Sequence, residues 1–324
     1  MASYTNGLYL AVEIDGAGTS TGLTAATAAE AAGFTLVTIA DSPLPPPGGT
    51  RIEAGVRAAY LARRTGRIGL APTLHTTLTE PFHLATQLAS LDHASLGRAG
   101  WVVGAENSAA ATATIGAEPL APDDLRREIA DVIDVARQLW DSWEDDAVIR
   151  DRATGRFLDP DRVHHVNFTG ARFTVTGPLI TPRPPQGQPV VLGADTLGVT
   201  DRLDIALIAA PDLAETAARA RQARSDGAAL VFAELEVLLG EDRLDAVTPP
   251  AASGRLRHAG SAEELRDLLD KLAGVVDGVR LHPAALDTDL PRLAAVLGDR
   301  PATGTTLRES LGLPRPANRF ATAG

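Results

Sequence analysis

The stretch GRAGWVVGAE, residues 97 to 106, reads as a tight Gly/Arg turn, a short apolar strand and an abrupt glutamate. If that strand belongs to a parallel barrel, Glu106 stands at its C-terminal end, the face on which barrel active sites form. The fold therefore depends on whether comparable strands recur on either side.

They do recur. Strand-like runs occur at LYLAVEI (8 to 14), TLVTIAD (35 to 41), RIGLAPTL (67 to 74), GWVVGA (100 to 105), PVVLGA (189 to 194), DIALIAA (204 to 210), ALVFAELEVLL (229 to 239) and GVRLHP (278 to 283), eight in all. Between them lie Ala/Leu/Arg-rich helical stretches, among them RIEAGVRAAYLARRTG, PDDLRREIADVIDVARQLWDSW and SAEELRDLLDKLAG. Ser261 with Glu264 three residues on is a capping-box pattern. Eight strands alternating with helices over a chain of this length favour an α/β fold of the (β/α)8 TIM-type barrel class. The doubly wound sheet is the alternative. It would place a Gly-x-Gly-x-x-Gly run after the first strand, and IDGAGTSTG is Gly-rich without that spacing.

The domain expected is a single barrel over 1 to 300, with a long excursion over 140 to 188 between the fourth and fifth strands. Within the excursion, VNFTGARFTV alternates around Thr169 and Gly170 as a hairpin does. A loop of such length reads either as functional or as a solvated face. Residues 301 to 324 show no periodic core face, so they are expected along the surface or at a subunit interface.

With 324 residues, 44% hydrophobic and 22% charged, the chain can bury a large core. A net charge of −11 argues against a phosphate-backbone binder, so nucleic acid is not an expected partner. The absence of cysteine excludes thiolate nucleophiles, disulfides and Cys-ligated zinc. No signal-peptide pattern or long apolar run appears, and the expectation is a cytoplasmic protein without a membrane partner.

Among the strand-end residues, Asp41 reads as a ligand contact or as a helix cap. His75 reads as a general acid/base or as a structural histidine. Glu106 could pair with Arg126 across the mouth, act as a base, or hold a cationic substrate group. His164 and His165 are adjacent on an extended segment and point to opposite sides, so no metal site is expected there. Trp140 and Trp143 read as packing residues.

The segments LWDSWEDDAVIRDRATGRFLDPDRVHHVNFTGARFTVTGPL (139 to 179), RPPQGQPVV (183 to 191), TTLRESLGLPRPANRF (305 to 320) and EPFHLATQLASLDHASLGRAGW (80 to 101) carry a resemblance. They are similar to the luciferase-like flavin monooxygenases, in the branch of nitrilotriacetate and dibenzothiophene-sulfone monooxygenases. The resemblance implies a TIM-type barrel, reduced FMN from a separate flavin reductase, O2, and a small organic substrate. Deazaflavin is the alternative cofactor, and a homo-oligomer or a homologous subunit is the implied assembly.

By the same resemblance, Asp41 and the Thr-rich loop holding Thr73, Thr76 and Thr77 match family positions, with His75 where a serine is usual. Ala194, Asp195, Thr196 and Gly198 fall where the family binds the FMN phosphate at a helix N-terminus. The chain departs from the pattern at Val102, Gly104, Ala105 and Glu106, where the family usually continues with Asn and then Thr and Ser. It departs again at Pro122 and Arg126, where a His and a Tyr are usual. Only about ten residues join the fifth strand to the sixth, and Asp195 adds an anion at the phosphate position. A carboxylate at Glu106 would also disfavour an anionic reduced flavin. Two functions follow: a flavin-dependent monooxygenase in which His75 and Glu106 are the catalytic candidates, or a non-catalytic barrel subunit that has lost its flavin site.

Overall fold

The computed structural model describes residues 7–14, 21–46, 49–240, 253–297 and 304–321. In chain order its strands are β1 (Tyr9–Ile14), β2 (Leu36–Ile39), β3 (Gly69–His75), β4 (Gly100–Gly104), β5 (Val148–Asp151), β6 (Arg156–Leu158), β7 (Phe168–Thr169), β8 (Thr174–Val175), β9 (Val190–Ala194), β10 (Ile205–Ile208), β11 (Leu230–Leu239), β12 (Leu256–Gly260) and β13 (Gly278–Pro283). Strands β1, β2, β3, β4, β9, β10, β11 and β13 pair in parallel in that cyclic order, and β13 closes on β1. These are the eight strands expected from the sequence, and they form a closed TIM-type barrel. Most of the Gly-rich run after β1, residues 15–20, lies outside the described residues.

Alternation along each strand sends one set of side chains inward and the other toward the helices. The inward set of the lower barrel, including Ala11, Leu36, Ala71, Val102, Leu192 and Phe232, is apolar and packs with Leu307, Leu311 and Leu313. The segment expected at the surface or at an interface therefore contributes three leucines to the barrel floor. Local periodicity gave no sign of this because the partners are the distant first residues of strands. Gly69 and Gly100 begin β3 and β4, and a Cβ on Gly69 would approach Leu307 Cδ1 to 2.6 Å. The small residues at the strand starts are the socket for the leucine plug.

The Gly/Arg turn before β4 is fixed from beneath. The guanidinium of buried Arg98 donates to the carbonyls of Ser95 and Ile68 at 2.7 Å, and to those of Ala62 and Thr65 and the Thr65 hydroxyl at 3.0 Å. Asp92 accepts from the Ala99 N–H and from the Gln186 side chain, joining this turn to the Pro-rich approach to β9. Burial raises its pKa to about 6.

The helices are α1 (Thr21–Ala31), α2 (Ala54–Ala62), α3 (Pro81–Ser95), α4 (Ala109–Ala113), α5 (Pro122–Asp141), α6 (Leu213–Ser225), α7 (Ala262–Ala273), α8 (Leu286–Leu297) and α9 (Leu307–Ser310). The capping box of Ser261 and Glu264 is formed at the start of α7. Sequence reading misses α8 because Pro291 lies inside it and reads as a breaker. It also misses β12, a five-residue strand that pairs with the upper half of β11.

The excursion forms two hairpins, β5 with β6 and β7 with β8, the second being the VNFTGARFTV hairpin. It is pinned where Trp143 Nε1 donates to the Leu179 carbonyl and where Asp131 accepts from the Ala171 N–H. Buried Arg183 bonds Asp141, Asp145 and the Pro316 carbonyl, tying excursion and tail together. Trp140 is fully buried and donates to the Ala85 carbonyl. His164 bonds Glu144 and stacks on Phe320, while His165 bonds the Gly177 carbonyl.

Candidate active site

At the C-terminal ends of β2 and β3 lies a cleft of about 530 Å³. Its walls include Pro43, Leu44, Pro45 and Leu78, and its polar lining includes Asp41, Thr73 and His75. Three of the expected site residues thus meet in one space, whose lining also carries the charged Arg51 and Glu53 and the hydroxyl residues Ser42, Thr50 and Thr79.

His75 brings an imidazole into the wall of this cleft. Its Nδ1 accepts from the Glu106 N–H at 3.3 Å, which leaves the proton on Nε2, 3.4 Å from the Asp41 carbonyl oxygen. Burial pushes the imidazole pKa below its ordinary value, against the pull of the Asp41 carbonyl and the Asp41 and Glu106 charges. His75 is therefore neutral at pH 7, with an N–H held only by a long contact.

Asp41 is committed as a cap. One carboxylate oxygen accepts from the Ser42 N–H at 2.8 Å and the other from the Ala54 N–H at 2.5 Å, at the start of α2. Glu106 is committed too. Its carboxylate accepts from the Ser108 N–H at 2.9 Å, which holds its pKa down, and its carbonyl accepts from Thr77 at 2.6 Å. Arg126 forms its ion pair with Asp123 at 3.6 Å on the exposed face of α5, so the expected Glu106–Arg126 contact is replaced by local ones. Both carboxylates found backbone N–H groups nearby, which sequence spacing alone did not distinguish from a ligand role.

After β9 the chain makes two 3-10 turns, Asp195–Leu197 and Thr200–Arg202, before entering β10. Ala194 ends the strand half-buried, Thr196 and Gly198 are exposed, and Gly198 has φ of 72°. Asp195 is gripped at two points by Arg219 of α6, at 2.8 and 2.5 Å. The anion that looked unfavourable for a phosphate is thus already neutralised.

A second group of charges has no counterpart among the expected site residues. Glu13 of β1, Glu234 of β11, and Arg280 and His282 of β13 meet in the upper barrel interior. The only sequence signal was a charged residue at alternate positions near the ends of otherwise apolar strands.

The model of the luciferase-like monooxygenase family matches residues 11–249. The chain belongs to the luciferase-like monooxygenases. N-acetyl-S-(2-succino)cysteine monooxygenase of Bacillus subtilis (strain 168) is 35% identical over 260 residues, covering 76% of this chain and 58% of the relative. One of the subunits of pristinamycin IIA synthase from Streptomyces pristinaespiralis is 34% identical over 303 residues, covering 91% of this chain and 89% of that protein. Relatives named nitrilotriacetate and dibenzothiophene-sulfone monooxygenase, the two named in the sequence resemblance, match 44% and 45% of this chain. The match covers little more than half of the Bacillus protein and about a third of these two. The solved structure of EDTA monooxygenase (EmoA) from Chelativorans sp. BNC1 superposes with a TM-score of 0.78 at 22% identity, covering 95% of this chain and 99% of that one. At that identity the likeness is one of fold, and the luciferase-like barrel it shows is the one described above.

Proposed function

We propose that this luciferase-like chain is the oxygenase component of a two-component system. It would take reduced FMN from a separate flavin reductase and, with O2, oxygenate a small organic substrate in the cytoplasm. The observation that carries the reading is the cleft beside β2 and β3, with a neutral His75 in its wall.

The residues present fit a flavin. The proline and leucine walls suit a planar ring, with Thr73 and the His75 Nε2–H as its polar contacts. Asp195 is no obstacle to a phosphate because Arg219 cancels its charge. At the left-handed turn of Gly198 the Arg126 side chain lies against the backbone, 2.9 Å from where a Cβ would stand, and Thr196 beside it is exposed. Bound reduced flavin supplies the electrons that activate O2. The protein's own work is to hold the ring, to exclude water with the apolar wall, and to keep a proton at His75 Nε2 for an acceptor in the cleft. Glu106 acts on this arrangement through its N–H, which fixes the tautomer of His75. Reduced deazaflavin is the alternative occupant of the same cleft.

A second reading is a non-catalytic subunit paired with a homologous chain. It is favoured by the near end-to-end match to a protein named as one subunit of a synthase. An exposed apolar stripe of Ile52, Val56 and Tyr60 along α2 and the turn before it is a face that such a partner could cover. Anaerobic titration of the purified chain with reduced FMN, and in parallel with reduced deazaflavin, separates the two. Saturable binding supports the oxygenase; a folded chain that takes up neither cofactor rejects it in favour of the non-catalytic partner.

A further inference from the structure

The buried charges at the top of the barrel form a closed ring. Arg280 Nη2 bonds Glu234 Oε1, and Arg280 Nη1 lies 3.3 Å from Glu13 Oε2. On the opposite side, His282 Nδ1 lies 3.1 Å from Glu13 Oε1 and His282 Nε2 lies 3.5 Å from Glu234 Oε2. Two carboxylates therefore alternate with a guanidinium and an imidazole. Arg255, just before β12, adds a bond from its Nε to Glu234 Oε2 at 2.8 Å. Glu236, the next inward residue of β11, is occupied by Arg257 and Arg255. Among the described residues, these are the charged groups that face the ring from β1, β11, β12 and β13.

The position of the ring gives it a role. β1 and β13 are the first and last strands of the barrel, and their pairing is the seam that closes it. The ladder between them runs from Tyr9 with Gly278 to Val12 with Leu281, and the ring sits at its upper end. Glu13 crosses the seam to both Arg280 and His282, while Glu234 ties β13 to β11 on its other side. Ionic groups buried at this cost are held by one another, and removing one charge leaves the rest uncompensated.

We propose that this ring is a proton-controlled latch on the closing seam of the barrel: His282 in its protonated form ties β1 to β13 and β11, and loss of that proton, which leaves one N–H for two carboxylates, loosens the upper end of β1. With the proton present, the two carboxylates face two cations within the ring. Without it, the neutral imidazole keeps a single N–H, which can serve Glu13 or Glu234 but not both, and the two carboxylates face one cation within the ring, Arg280. Burial lowers the His282 pKa, but the bonds to Glu13 and Glu234 outweigh it and leave the value above the ordinary 6.5. For a group raised in the folded state, the stabilisation is full below 6.5 and is lost as pH rises through the folded value. The carboxylates limit the other side: burial opposes their ionisation, but Arg280 and His282 hold Glu13 at about 2 and Glu234 still lower. The latch is thus closed in mildly acidic solution and opens on the alkaline side.

The test is amide hydrogen exchange of the whole chain at about pH 6 and about pH 8.5, corrected for intrinsic base catalysis. In the wild type, peptides from β1 and β13 should lose protection at the higher pH while β3 and β4 do not. Each unit by which the folded pKa exceeds 6.5 adds about tenfold to that loss. His282→Gln should show the unprotected seam at both values. A wild-type seam whose protection ignores pH, or a His282→Gln chain with the same alkaline loss, overturns the latch. If His282→Gln does not fold, the imidazole resonances of the wild type decide: titration of His282 below 6.5 overturns the proposal and titration above it supports it.

Discussion

His75 and Gly104 face each other across β3 and β4 so closely that a Cβ on residue 104 would lie 2.5 Å from His75 Nδ1. The absent side chain is what allows the imidazole to lie flat against β4 and accept from the Glu106 N–H. Gly104→Ala should displace the ring and cost about 1–3 kcal/mol, the usual penalty for overpacking. Thermal unfolding measures the loss, and the His75 resonances report the displacement. An alanine variant with unmoved His75 signals would show that the glycine is not what seats the ring.

Because burial lowers the His75 pKa, acidification costs stability. Between the ordinary value of 6.5 and the lower folded value, the unfolded chain binds the proton more readily, so stability falls as pH drops through that window. His75→Asn should flatten this part of a pH–stability curve measured by urea unfolding. If the oxygenase reading holds, the same variant should lose about 10²–10⁴-fold in substrate turnover while still binding reduced FMN.

Freeing Arg219 tests the phosphate position. Asp195→Asn removes the charge that now occupies the guanidinium at 2.5 and 2.8 Å, so reduced FMN should bind about tenfold more tightly. Arg219→Gln should weaken it by a similar factor by leaving Asp195 uncompensated. Riboflavin lacks the phosphate and should respond to neither change. Equal effects on riboflavin and FMN would place the phosphate elsewhere.

The barrel floor depends on the tail. Leu307 is 1% exposed and fills the space left by Gly69 and Gly100, so Leu307→Ala should cost about 2–5 kcal/mol in denaturant unfolding. A cost near that of a surface substitution would show that the plug is dispensable.

Arg98→Lys is expected to be as damaging as a larger change. A lysine carries a single ammonium and cannot span the carbonyls of Ala62, Thr65, Ile68 and Ser95 that the planar guanidinium joins. With buried carbonyls losing their partners, the loss should reach about 2–4 kcal/mol, read as a lowered urea midpoint.

By itself the sequence determined the eight strands, most of the helices, the second hairpin of the excursion and the family. Those features rest on local signals: strand alternation, capping residues, turn chemistry and contiguous family motifs. It also brought Asp41 and His75 to attention as strand-end residues, and Thr73 through the Thr-rich loop of the family resemblance. The tertiary structure alone decided what each charge holds. Asp41 and Glu106 cap backbone N–H groups, Asp195 meets Arg219 from the next helix, and Leu307 meets glycines that begin β3 and β4. The ring of Glu13, Glu234, Arg280 and His282 draws on the first, seventh and last barrel strands. Parallel pairing and barrel closure set such neighbours through register between distant segments, and no periodicity within one segment encodes that register.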